Sequence, residues 1–133
     1  MRGWLILTVM TAGVPLAPAA GAEPGLVAAT EWASYDGSDT LFSLRVYPTA
    51  MGRAAAGQPG ADAQGRQAWQ EVLASAPDAD TPGMREQFLC HWRFAELVRP
   101  GKTSWNLEPW RPVVDAETMV DAACNPGAAE ESF

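Results

Sequence analysis

Two tryptophans and an acid–base pair crowd one octamer, Trp105-Asn106-Leu107-Glu108-Pro109-Trp110-Arg111-Pro112. Its prolines restrict their own φ and the conformation of the residues before them, so the segment loses little entropy on binding. On one account Trp105 and Trp110 offer stacking faces to a sugar ring or a partner's side chains, with Asn106, Glu108 and Arg111 as polar anchors. On the other, both indoles close the core and Glu108 pairs with Arg111 to hold the loop. His91 is the only imidazole in the chain, so histidine acid–base chemistry would run through it. A Ser-His-acid arrangement would need a serine such as Ser104 beside His91, and a glycosidic mechanism would need a carboxylate pair such as Glu86 and Glu108. No catalytic residue is assigned; the binding candidates are Trp105, Asn106, Glu108, Trp110, Arg111 and His91.

The chain has two cysteines, Cys90 and Cys124, and they favour a disulfide if the protein leaves the cytoplasm. Export is signalled at the N-terminus, where Arg2 precedes an apolar run to about Leu16 that closes on Ala20-Gly21-Ala22. That is the pattern of a signal peptide over 1–22, too short to span a bilayer core of about 30 Å. The expected mature protein is secreted and extracellular, with no membrane association after processing. Cys90 adjoins His91 but no spaced ligand pair accompanies them, so no metal and no cofactor is expected.

The elements that must position these residues follow from patterning. Residues 23–29 read as a flexible lead-in, 30–127 as a single domain and 128–133 as a polar tail. Thr30 to Asp36 and Thr40 to Tyr47 are β-like, joined by a turn at Gly37-Ser38-Asp39, with Phe42, Leu44 and Val46 forming the apolar face of the second run. Thr49 caps a short helical turn, and Asp62 to Ala76 carries a helical stripe through Ala68, Trp69, Val72 and Leu73, with Gly65 weakening its first turn. Thr81-Pro82 resembles a cap and first helical position. Residues 83–98 suit a helix by composition, although Phe88, Cys90, Trp92 and Phe94 also alternate as in a strand. Trp105 to Pro112 reads as an extended loop, and Asp115 caps a last short helix. The predicted class is α+β, a small antiparallel β element packed with two or three short helices and one disulfide.

Composition narrows the function. Of 133 residues 47% are hydrophobic, and the formal charge is −7, which argues against a polyanion-binding surface and so against nucleic acid as a partner. Against this acidic background the span 85–111 has five basic residues and three acids. A basic, aromatic segment on an acidic body suits an unknown protein or carbohydrate partner.

The stretches Thr81–Trp92 and Ser104–Pro112, together with Cys124-Asn125-Pro126, resemble a family of exported actinobacterial domains of unknown function. The resemblance implies secretion and paired cysteines; it carries no activity, substrate or catalytic residue. The expectation is a non-catalytic binding or interaction module at the cell envelope or outside it. The alternatives are a small secreted hydrolase of cell-wall or polysaccharide material, and a protease inhibitor presenting Leu107 to Pro112.

Overall fold

Alternating side chains from Phe42 to Pro48 make a strand with one face for the core, and it is the centre of the sheet. The computed structural model describes residues 25–131 and Gly13. The expected leader, apart from Gly13, therefore lies outside the described residues. Strands β1 (Val27–Ser34), β2 (Phe42–Pro48) and β3 (Trp105–Leu107) form an antiparallel sheet in that order. Helices α1 (Ala50–Ala55), α2 (Asp62–Ser75), α3 (Met84–Val98) and α4 (Ala116–Asp121) complete an α+β fold.

Several boundaries differ from the sequence-based expectation. β1 starts at Val27, inside the segment read as a flexible lead-in, because Leu26 is buried and Glu71 of α2 accepts from the amides of Leu26 and Val27 at 2.8 and 3.2 Å. The strand stops at Ser34 rather than Asp36, since Asp36 turns to a left-handed φ of 45° and Tyr35–Gly37 forms a 3-10 turn. Phe42 is 47% exposed and does not join Leu44 and Val46 in the core. β3 occupies the start of the segment read as a loop, pairing Leu44 with Leu107 and Val46 with Trp105.

Residues 83–98 are helical from Met84, not strand. Met84, Gln87, Phe88, His91 and Trp92 are all buried, and their spacing of three and four is that of one helix face. Burying that face requires the helix, whereas a strand would have turned half of it to solvent. The cap is Gly83 at φ 88°, not Thr81. Thr49 and Asp115 do cap α1 and α4, accepting from Gly52 N at 2.9 Å and Thr118 N at 2.8 Å.

The core lies between the sheet and α2 and α3. Phe88 is at its centre, with ring centroids 5.6 Å from Trp69, 6.5 Å from Trp92 and 6.2 Å from Trp105. Gly65 lets α2 approach this cluster: a Cβ there would sit 2.8 Å from Trp92 Cδ1. The Trp92 indole donates to Ala61 O at 3.0 Å, so the ring is fixed where it crosses α2. A smaller apolar cluster joins Cys90, Cys124 and Met119, and the Cys90–Cys124 disulfide ties α3 to the chain leaving α4.

Candidate functional site

Strand alternation sends Trp105 and Leu107 into the core, which places Ser104, Asn106 and Glu108 on the opposite side of β3. Ser43 and Arg45 take the same side of β2, and Arg45 is paired in register with Asn106. This second face is polar but covered. Ser43, Ser104, Asn106 and Glu108 are at most 2% exposed. Ser104 Oγ and Asn106 Oδ1 are 2.7 Å apart, and Gln87 of α3 clasps the Glu108 backbone, donating Nε2 to its carbonyl and accepting from its amide, both at 2.9 Å.

Glu108 and Arg111 form a fully buried ion pair, Nε to Oε2 3.3 Å and Nη2 to Oε1 3.3 Å. Burial pushes the Glu108 carboxyl above its ordinary pKa, and the Arg111 guanidinium pulls against that shift. Arg111 also donates to the carbonyls of Pro126, Ala128 and Ala129, so it fastens the C-terminal segment. Glu131 of that segment accepts from Asp36 N at 3.0 Å and lies 3.7 Å from Arg45. Residues 128–131 of the segment read as a polar tail therefore run through the covering layer, with Glu131 buried.

The predicted binding residues separate into two environments. Trp105 is 0% exposed and has no face to offer a ligand, so the expected platform of two indoles does not form. Trp110 is half-buried, donates its indole N–H to Phe42 O at 3.0 Å, meets Tyr35 edge-on and carries the Arg111 guanidinium 4.6 Å from its ring centroid. Asn106, Glu108 and Arg111 are interior, and Glu86 stands on the exposed side of α3, away from the buried Glu108. Of the six candidates, His91 lines a groove between α3 and α4.

That groove, of about 250 Å³, lies over the disulfide. Phe94 and Val98 from α3 and Val120 from α4 form apolar walls, exposed by 37, 74 and 50%. His91 lies beneath them, buried, its Nδ1 donating to Gln87 O at 2.8 Å. This bond leaves the lone pair on Nε2. Burial lowers the His91 pKa to about 4, opposed by the Gln87 carbonyl and assisted by the charges of Lys102 and Arg111, so the ring is a neutral acceptor at pH 7. Arg99, Lys102 and Glu130 also line the groove. Glu130 is ion-paired with Lys102 and lies 3.5 Å from Arg99.

Lys102, Arg99, Glu130 and the apolar pair Val98 and Val120 were not among the candidates. The two cations were legible only as part of a basic span. Ser104, Asn106 and Glu108 do follow a period of two, which is the signal that places them on one side of β3.

Fold and site define a small disulfide-bridged α+β domain with a covered polar layer and an apolar groove. The chain belongs to the family described as protein of unknown function (DUF2599), whose model matches residues 27–127. It is 58% identical over 113 residues to the "Uncharacterized protein Rv0477" of Mycobacterium tuberculosis (strain ATCC 25618 / H37Rv), a match covering 83% of this chain and 72% of that protein. The "Uncharacterized protein ML2452" of Mycobacterium leprae (strain TN) is 48% identical over 101 residues, covering 76% of this chain and 79% of its own. No solved structure matches the chain.

Proposed function

We propose that this protein is a non-catalytic binding module, working at the cell envelope or outside it, whose ligand seat is the groove between α3 and α4. The observation that carries this is the groove itself, about 250 Å³ with Phe94, Val98 and Val120 left in solvent around a buried neutral imidazole. Small-molecule sites are concave and mostly apolar, of about 300–1,000 Å³, with a few polar groups that orient the ligand. A groove slightly below that range suits a single short hydrocarbon chain. The sequence pattern of a leader and the disulfide support the extracellular setting.

The chemistry of the neighbouring groups supports binding over catalysis. The Ser104 hydroxyl is engaged by Asn106, His91 Nδ1 is engaged by Gln87 O, and Glu86 and Glu108 do not share a pocket. An inhibitory loop is disfavoured for a similar reason, since Leu107, Glu108 and Arg111 are buried and cannot enter a protease cleft. A carbohydrate or protein ligand at the octamer loses its main support with the burial of Trp105.

Decanol tests the seat. Titrated into ¹⁵N-labelled protein, it should shift the amides of Phe94, Val98 and Val120 saturably, and Val98→Glu should abolish the shifts. Val98 is exposed, so the substitution should change stability by no more than about 0.5 kcal/mol. Shifts scattered over the surface, or none in the groove, would overturn the assignment.

A further inference from the structure

The groove's charged part is already occupied by a carboxylate of the same chain. Glu130 sits on Lys102 and 3.5 Å from Arg99, and all three line the groove, whose remaining lining is mostly apolar apart from His91 and Asn125. We propose that Glu130 is a built-in stand-in for the ligand's own head group, and that the module takes a free medium-chain alkyl carboxylate whose anionic end displaces the Glu130 side chain. This rests on the groove being the ligand seat.

The Lys102 side chain is only 7% exposed, so its ammonium has exchanged most of its water for protein contacts and needs an anion near it. Burial and the neighbouring Arg99 lower its pKa to about 8, against the pull of Glu108 and Glu131. A ligand carboxylate arriving as Glu130 leaves preserves the charge balance around Lys102, whereas an alcohol would leave the ammonium without a partner. Glu130 is also the one acid of the segment able to leave alone. On one side of it Arg111 holds the carbonyls of Pro126, Ala128 and Ala129, and on the other Glu131 is held by Asp36 N and Arg45. The Glu130 side chain is 25% exposed between these anchors, so it can rotate into water while the backbone stays in place. Finally, Arg99, Lys102 and every apolar wall lie inside the family match at 27–127, while Glu130 lies beyond it. The cationic seat belongs to the family's domain; the carboxylate that fills it is supplied by the segment following that domain.

The proposal is tested by comparing decanoate, below its micelle concentration, with decanol on the full chain, on Glu130→Gln and on Arg99→Gln. Glu130→Gln should raise decanoate affinity at least about fivefold, the lower end of ordinary coupling between two occupants, and leave decanol unchanged. Arg99→Gln, at a side chain 58% exposed, should weaken decanoate alone and needs no tolerance of a buried change. Decanol binding in the groove with no gain for decanoate in Glu130→Gln, or equal effects on both ligands, would overturn the carboxylate site while leaving the groove assignment intact. Silence toward both ligands in every variant would overturn both.

Discussion

His91 is neutral inside the protein and titrates near 6.5 when unfolded, so its protonation opposes folding. The folded value of about 4 means that the unfolded chain binds more protons between about pH 4 and 6.5, and stability must rise with pH across that window. The stabilisation is complete above pH 6.5 and is lost as pH falls to 4, by about 3 kcal/mol at 1.36 kcal/mol per pKa unit. Glu108 works in the opposite sense, because a carboxyl raised by burial favours the folded state as it takes up a proton. The difference between wild type and His91→Gln isolates the imidazole. Urea unfolding at pH 4.5 and 7 should show a smaller acid loss in the variant; an identical loss would mean that His91 is solvated. The residue types of this interior were visible in the octamer, but their neighbours were not. Arg111 finds Glu108 locally and the Ala128 and Ala129 carbonyls by a tertiary turn, and no local pattern encodes the second contact.

At the scale of elements, α2 and α3 depend on one close crossing. Gly65 was read as a weakness in the first turn of α2, and as an isolated helix position it is one, by about 1 kcal/mol against alanine. The Trp92 ring reverses the balance, since it is 1% exposed, bonded to Ala61 O and 2.8 Å from where an added Cβ would lie. Overpacking of this kind costs about 1–3 kcal/mol, so Gly65→Ala should lower stability by up to about 2 kcal/mol despite its better helix propensity. A gain in the urea midpoint would show that the crossing can widen. Helix α2, the strand alternation of β2 and the caps at Thr49 and Asp115 were legible because local chemistry alone decides them. β3 was not, because its three residues pair with β2 from far along the chain, and the extended reading of 105–112 contained no partner strand. Residues 83–98 carried both periods at once, and the core selected the helix by burying Phe88 and Trp92 together with Gln87 and His91.

For the whole molecule, the Cys90–Cys124 bond fastens α4 and the groove wall to the main core. A loop of 34 residues gives a chain-entropy contribution of about 3–4 kcal/mol. Cys124→Ser should therefore lower the thermal and urea midpoints together, and unchanged midpoints would show that the bond constrains nothing. Because α4 packs on the core only through a small cluster, the variant should also lose the groove before the aromatic core melts, seen as early exchange of the Val120 amide. The bond also has a timetable. With two cysteines in the chain there is one intramolecular pairing and no isomer to sort, so any wrong disulfide must be made with another molecule. Cys90 precedes Cys124 by 34 residues, so wherever the chain enters an oxidising compartment N-terminus first, Cys90 meets the oxidant before its partner. Until Cys124 arrives, Cys90 is a lone thiol on α3, and its protection against other thiols rests on how soon the Phe88 and Trp92 face of that helix collapses onto α2.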